Sequence, residues 1–452
     1  VELFNINRRN FLKSLSAIYI GSLLGGHGYD LIRSLDGYKV GLIGSGWYGK
    51  SDVFRLLQVA DVEVIAISDV DANVVKKAAA LISQRQKSGK KPVTYKDYRK
   101  MLANHQLDLV LIGTPDHWHA LNAIDAMNAG AHVYLQKPVS TDVLEGEAIL
   151  SEARRLNRTV QIGTQRRSTP HLVEAKKKIV DEGLLGKVAH VEIFCFYHMR
   201  FKGNPPVESV PDYFDYDMWC GPAPMRQFDG LPHRRWRAYM EYGNGIVGDM
   251  CVHMLDAVRW LLDLGWPKSV TSSGGIYMDK ESNANISDTQ TAFFEYDELN
   301  IVWEHRSWGR PSDPEYPWAF KIYGENGVLK GDVNQYEFEK NDGTVIGGKV
   351  VIEEDLFPED VTEKGIEMRA APATRAHMVD WLAAIANGSK PVADIEQGFI
   401  SSASCIVANL AMKTGSSLSY NSELRVFNNN PQYNNLLKRV YRPDWEHPEK
   451  YL

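Results

Sequence analysis

Asp249 and His253 stand four residues apart in the run Asp249–Trp260, which reads as a helix. Side chains at i and i+4 share a helix face, so a carboxylate and an imidazole project together. A neutral imidazole is the natural proton acceptor at neutral pH. The carboxylate of Asp249 suits one of two tasks, orienting that imidazole or binding a hydroxyl beside it. A glycine-rich lead-in, Gly243-Asn244-Gly245-Ile246-Val247-Gly248, precedes the pair. Asp256, three residues on, reads as a structural helix acid.

A second group stands near the start. Gly44-Ser45-Gly46-Trp47-Tyr48-Gly49 follows the apolar strand Lys39–Ile43 and opens a helix-like run to about Val59. This is the G-x-G-x-x-G fingerprint in its strand-turn-helix context. Gly44 permits the tight turn, Gly46 lets the backbone approach a pyrophosphate, and Gly49 lets helix and strand pack closely. Trp47 and Tyr48 lie within the same loop and are expected against the cofactor. The helix N-terminus offers unpaired N–H groups and a partial positive charge to an anion. A second strand, Val62–Ser68, ends on Asp69, 20 residues after Gly49. A carboxylate there accepts both ribose hydroxyls of NAD and repels a 2′-phosphate. No basic residue flanks it, the neighbours being Ser68, Val70 and Asp71.

These groups need a scaffold, and the pattern supplies one. Helix-like Asn73–Gln86 and Tyr95–Ala103 follow. Strand Leu109–Gly113, helix His119–Ala129, strand His132–Leu135, helix Thr141–Leu156 and strand Thr159–Gly163 come next. Such alternation predicts an α/β fold, a doubly wound parallel sheet of Rossmann type. Ligands bind beyond the carboxyl ends of its strands, which singles out Gly113–His119, Gln136-Lys137-Pro138 and Gly163–Ser168. From Val188–Tyr197 onward the reading changes to hairpins: Val270–Tyr277, Thr289–Tyr296, Asn300–Ser307, Phe320–Gly324 and Gly327–Lys330, with Lys340–Lys349 as an exposed turn. Asn326-Gly327 is a hairpin turn signal. Thr374–Asn387 and Gly398–Thr414 read as helices. Residues 204–242 read as a long loop holding Tyr213, Tyr216, Trp219, Trp236, Tyr239 and Tyr242. Aromatic loops of this length suit sugar recognition, and Tyr242 is expected to touch substrate. The expected division is a leader over 1–36, a nucleotide-binding domain over 37–164, an α+β domain over 165–420 and a tail over 421–452.

Composition narrows the function. A chain of 452 residues calls for two domains. A net charge of −6 without a basic block excludes an electrostatic footprint for nucleic acid. Cys195, Cys220, Cys251 and Cys405 are scattered, so neither a zinc site nor a disulfide framework is indicated. His117 and His119 have no third ligand at metal spacing, and no metal is expected. Residues 7–24, with Arg8-Arg9 and a short apolar run, look like a twin-arginine export signal. The run is too short and too rich in Ser and Gly for a stable membrane span. A periplasmic location follows from that signal, a cytoplasmic one without it.

The Gly loop, TPDHWH at 114–119, QKP at 136–138, GTQRRS at 163–168 and GDMCVHMLD at 248–256 together resemble the glucose–fructose oxidoreductase / inositol dehydrogenase (Gfo/Idh/MocA) family. The similarity runs from Lys39 to about Tyr420. It implies a Rossmann domain followed by an α+β domain with an open, mostly antiparallel sheet used for substrate binding and for assembly into a dimer or tetramer. It implies that Lys137 sits beside the reacting carbon, where an ammonium stabilises a developing alkoxide. It implies that Asp249 and His253 are the catalytic pair, with Asp249 positioning His253. Thr114, Pro115, Trp118 and His119 are implied to touch the cofactor, the Trp118 indole covering the nicotinamide face. Gln165 would face the nicotinamide end, and Arg166 and Arg167 border the cleft, Arg166 toward substrate. In the family the triplet is usually Glu-Lys-Pro, its Glu contacting the nicotinamide ribose. Gln136 stands there in this chain, keeping hydrogen-bonding capacity without charge.

The expected activity is NAD-dependent oxidation of a secondary hydroxyl of a carbohydrate or glycoside. Two other readings use the same residues. One is a glycosidase that retains NAD and acts by transient oxidation, elimination, hydration and re-reduction. The other is a non-catalytic sugar- or cofactor-binding protein.

Overall fold

The computed structural model describes residues 36–452 apart from 202, 231–234, 312 and 355. The leader-like segment 7–24 lies outside the described residues. Six parallel strands form the first sheet: β1 (Lys39–Ile43), β2 (Glu63–Ser68), β3 (Val93–Tyr95), β4 (Leu109–Ile112), β5 (His132–Leu135) and β6 (Val160–Ile162). Their order is β3-β2-β1-β4-β5-β6, the doubly wound arrangement. All four residues of β4 are buried, because helices cover both faces of a parallel sheet. The connecting helices are α1 (Trp47–Val59), α2 (Ala72–Arg85), α3 (Tyr98–Asn104), α4 (His119–Asn128) and α5 (Val143–Arg155). Local chemistry sets their starts. Asp71 accepts from the backbone N–H groups of Asn73 and Val74 at α2, and Asp142 and Glu145 form a reciprocal capping box at α5. The sequence reading ran a helix from Tyr95. Instead Val93–Tyr95 is the edge strand, and Asp97 caps a helix that begins at Tyr98.

After α6 (Pro170–Ala175) the second sheet is built from β7 (Val188–Phe196), β8 (Ser269–Gly275), β9 (Thr289–Glu295), β10 (Asn300–Arg306), β11 (Trp318–Gly324), β12 (Gly327–Gly331), β13 (Gln335–Lys340) and β14 (Val345–Lys349). Its order is β14-β13-β12-β11-β7-β10-β9-β8. Every pairing is antiparallel except β7 with β10. The turn expected over 340–349 is confined to residues 341–344, where Asp342 accepts from Thr344. Gly347 and Gly348 lie in β14, where the Tyr336 ring occupies the space of a Gly348 side chain.

The aromatic loop holds the short helix α7 (Tyr216–Cys220). Tyr216, Trp219, Trp236, Tyr239 and Tyr242 form a small core of their own with Phe214 and Phe228. Main-chain hydrogen bonds Ala72 N–H to Tyr213 and Asp215 N–H to Val70 clip this loop onto the β2–α2 junction.

Four more α-helices lie among the described residues: α8 (Val252–Leu261), α9 (Glu359–Thr362), α10 (Ala371–Asn387) and α11 (Ile395–Thr414). α11 packs against β8, α5 and α8. α10 returns to the first domain, where Met378, Trp381 and Leu382 share a core with Val40, Leu42 and Tyr134. A buried pair, Arg55–Asp360 at 2.8 Å, ties α1 to this returning segment, and Arg375 binds the same carboxylate. Spatial order therefore departs from chain order. Residues beyond 430 are packed too. Arg439 donates to the carbonyls of Met240 and Gly243 and to Asn244 Oδ1. Tyr441 donates to Glu145 and His447 contacts Asp142. Arg442 donates to the Gly221 carbonyl, and the Trp445 ring meets Trp118 edge-on at 4.9 Å.

Trp381 is fully buried, so Trp381→Ala is expected to cost about 3–5 kcal/mol. Urea denaturation followed by far-UV circular dichroism checks it.

Candidate active site

The loop after β1 is shaped for a dinucleotide. Gly44 has φ +81°, a left-handed conformation that favours glycine. A side chain at Gly49 would collide with the Gly44 carbonyl oxygen, whereas the space in front of Gly46 is empty to 4 Å. No side chain caps the N-terminus of α1, so its N–H groups stay available to a pyrophosphate. Asp69 Oδ2 accepts from Ser45 N–H at 2.8 Å and Ser45 Oγ at 3.0 Å. That fixes the carboxylate at the end of β2, where a ribose would meet it. These residues fit NAD. Trp47 is about half exposed on the loop. The Tyr48 hydroxyl accepts from Gln165 Nε2 at 3.0 Å, joining this loop to the segment after β6.

The turn after β4 departs from expectation. The Trp118 indole is buried between Tyr98 and Trp445 and donates to the Trp219 carbonyl at 2.9 Å. It is a core residue joining two loops, not a cover for a nicotinamide. His117 also contacts the Trp219 carbonyl. Thr114 Oγ1 donates to Asn122 at 3.1 Å, and Pro115 is partly exposed. His119 is buried with Nδ1 2.6 Å from the Pro138 carbonyl and Nε2 3.1 Å from the Thr114 carbonyl. Burial pushes its imidazole down to about 4, so the ring is neutral and donates to one carbonyl, the nearer being that of Pro138. It braces the β4 loop against the β5 loop.

Lys137 leaves the β5 loop and meets the second domain. Its Nζ donates to Asp249 Oδ1 at 2.6 Å and to the Asp249 carbonyl at 2.9 Å. Both side chains are nine-tenths buried. Arg237 Nε reaches the same Oδ1 at 3.4 Å. Burial works to raise the Asp249 carboxyl, but Lys137 and Arg237 outweigh it and hold it below the usual carboxylate range.

The helix expected from Asp249 begins with a π turn, Val247–Cys251, before α8. Across this wider turn the Asp249 carboxylate faces Lys137 and Arg237. It therefore anchors the ammonium and does not orient the imidazole as expected. The Met250 carbonyl accepts from the Trp318 indole at 3.2 Å. His253 lies edge-on to Trp318, centroids 5.4 Å apart, with Nδ1 buried and unpartnered. Burial, then the charges of Lys137 and Arg166, push its imidazole well below the usual range.

Arg166 and Arg167 separate sharply. Arg167 forms a buried bidentate pair with Asp256, at 2.7 and 2.9 Å. Arg166, 5% exposed, has Nε and Nη1 buried without partners. Its guanidinium stands 5.6 Å from the Trp318 ring centroid. Tyr242 is buried in the aromatic core, its hydroxyl accepting from Arg226 N–H, so the expected substrate contact is not available to it.

Two residues escaped the sequence reading. Trp318, at the start of β11, is half-buried against His253 and Arg166. Asp116 is 4% exposed, and no hydrogen bond to its carboxyl forms among the described residues. Burial and then the nearby Asp249 charge raise it to about 8, against the opposing Arg237 and Lys137. Its sequence signal was its place inside TPDHWH, one residue past Pro115 at the end of a central strand.

Residues 38–164 match the family described as "Oxidoreductase family, NAD-binding Rossmann fold", and 170–298 match its "C-terminal alpha/beta domain". The chain belongs to the Gfo/Idh/MocA oxidoreductase family. An alpha-N-acetylgalactosaminidase of Shewanella oneidensis is 27% identical over 229 residues, 44% of this chain and 48% of that protein. The chain thus spans about half the length of the curated relatives it matches. An Agrobacterium radiobacter oxidoreductase in complex with NAD+, L-tartaric acid and magnesium has a TM-score of 0.63 at 15% identity, covering 84% of this chain and 98% of that one. The myo-inositol 2-dehydrogenase of Lactobacillus plantarum has 0.60 at 19%, covering 85% and 100%.

Within this Gfo/Idh/MocA frame the Gln136 substitution has a physical account. Gln136 Nε2 donates to Asp52 Oδ2 of α1 at 2.7 Å. Asp52 is buried, which raises it to about 7 against the opposing Gln136 and Arg55. A glutamate at 136 would put two carboxyls in contact, where they must share one proton.

Gln136→Glu is accordingly expected to lower the melting temperature, and more so above pH 7, where wild-type Asp52 releases its proton but the two contacting carboxyls must still hold one. Asp52→Asn in the same chain should recover most of it, a coupling of about 1–3 kcal/mol in a double-mutant cycle. Asp116 makes a second pH-dependent contribution. Between its ordinary 3.8 and about 8, the folded chain holds a proton that the unfolded chain has released. Stability therefore falls as pH rises through that window. Asp116→Asn removes the slope, so its denaturation midpoint should gain on the wild type across that interval, by on the order of a few kcal/mol at the top.

Proposed function

We propose that this protein is an NAD-dependent dehydrogenase acting on a secondary hydroxyl of a carbohydrate or glycoside. One observation supports it above the rest. The Lys137 ammonium from the first domain is pinned on Asp249 of the second, and the neutral, unpartnered imidazole of His253 stands near enough to feel its charge. NAD supplies the hydride acceptor for such an alcohol. His253 takes the hydroxyl proton at Nε2, the ring nitrogen that is neither enclosed nor hydrogen-bonded among the described residues. Lys137, held by Asp249, stabilises the oxygen as negative charge develops on it. Trp318 offers a partly exposed indole for the C–H face of a sugar ring. Asp116, protonated at neutral pH, adds a carboxylic acid able to donate rather than accept.

The Shewanella alpha-N-acetylgalactosaminidase favours the second reading, a glycosidase that retains its NAD. Asp116 suits it also, since an acid that stays protonated is what a departing alkoxide needs. We further infer export of the chain through the segment at 7–24. We infer self-association as a dimer or tetramer through the open face of the second sheet, where Phe293 is half exposed. Among the described residues no helix is long and apolar enough to cross a membrane.

Purified protein is expected to reduce added NAD with a sugar substrate, read by NADH absorbance. His253→Ala and Lys137→Ala should each lower kcat by about 10²–10⁴ with NAD affinity unchanged. Turnover of glycosides without net NADH would select the glycosidase, and unchanged turnover in both variants would refute either.

A further inference from the structure

Arg166 and Arg167 are adjacent in one short turn, yet only Arg167 has a counter-ion. The Arg166 side chain makes no hydrogen bond or ion pair among the described residues. A buried guanidinium left this way is strongly destabilising, and proteins keep such a group where a ligand completes it. Its neighbours do not. The Tyr48 hydroxyl is taken by Gln165. Glu367 Oε1 accepts from the backbone of Arg369 and Ala370, and Asp332 Oδ1 from that of Asn334 and Gln335. His253 is neutral, and Trp318 offers only its ring face. Lys137 and Arg237 already share the Asp249 carboxylate. Three cations therefore have one directly bonded carboxylate between them, that of Asp249, while Glu367 and Asp332 act on Arg166 only from beyond ion-pair distance, before an oxidised nicotinamide adds its own positive charge.

Resting on the dehydrogenase reading of this site, we infer that the substrate carries a carboxylate, as a sugar acid or an acidic glycoside does, and that the Arg166 guanidinium binds it. A carboxylate suits the group. It is planar, monoanionic and matched to the guanidinium fork, whereas a phosphate dianion would need more donors than one buried arginine gives. The anion would do a second thing. Arg166 is one of two charges that depress His253, so neutralising it restores proton affinity to the base when substrate is present. Binding of the right molecule would thereby switch on the proton acceptor.

The test uses the full chain loaded with NAD. Glucuronate and galacturonate are compared with glucose and galactose and with their 6-phosphates, by NADH formation and by calorimetric binding. The acids are expected to bind at least about 30-fold more tightly than the neutral sugars, and Arg166→Gln should erase that margin while Arg166→Lys keeps part of it. NAD affinity, read by tryptophan fluorescence, should not change in either variant, and the melting temperature of ligand-free Arg166→Met should rise. Equal binding of acids and neutral sugars overturns the inference, as does selective binding of the phosphates. Loss of NAD affinity in Arg166→Gln would assign the guanidinium to the cofactor instead. Acid binding that depends on Arg166 but yields no NADH would uphold the carboxylate site and sink the dehydrogenase reading.

Discussion

The buried pair between Lys137 and Asp249 is the interaction on which the arrangement turns. One partner extends from the carboxyl end of a Rossmann strand, the other from a π turn in the second domain. Neither charge is sustainable alone at that depth, because removing one partner leaves the other buried and uncompensated. The pair therefore acts as a positional lock as well as a chemical group. Other contacts hold each half in place. His119 spans the β4 and β5 loops, Gln136 ties the lysine loop to α1 through Asp52, and Arg167 fastens the exit of β6 to Asp256 on α8.

The protonation states around this lock are ordered by solvation and by who holds the nearest opposite charge. Asp249 has two cations and is ionised. Asp116, close by and with no hydrogen bond to its carboxyl among the described residues, yields to burial and to the Asp249 charge and keeps its proton. His253 is surrounded by cations and apolar surface and loses its proton. Two carboxylic side chains and one imidazole thus end up anion, acid and base within one region. That separation of roles by environment is how a site built from ordinary residues runs acid and base chemistry together.

Much of this was legible in the sequence, for a local reason. The Gly loop, the acid ending β2, the lysine after β5 and the imidazole four residues past an aspartate each sit at a fixed offset from a strand or helix, and periodicity finds those. What was hidden depends on packing between distant segments. Nothing in Arg166-Arg167 says which one meets Asp256. Tyr242 and Trp118 looked like ligand-facing aromatics, and only the tertiary structure shows the loop folding them into a core. The partner that makes Gln136 reasonable lies on α1, 84 positions away. α10 reads as a helix of the second domain because chain order places it there, although its apolar face completes the first.

Arg439, Tyr441, Trp445 and His447 reach back to loops and helix ends from both halves of the molecule. Arg439 in particular satisfies three acceptors just upstream of the π turn. During synthesis on a ribosome, the Rossmann strands emerge long before these residues do. The surroundings of Lys137 and Asp249 consequently cannot take their finished form co-translationally from their own loops. A nascent chain stalled at residue 430 would carry Lys137, Asp249 and His253 and still lack the clasp that sets their surroundings.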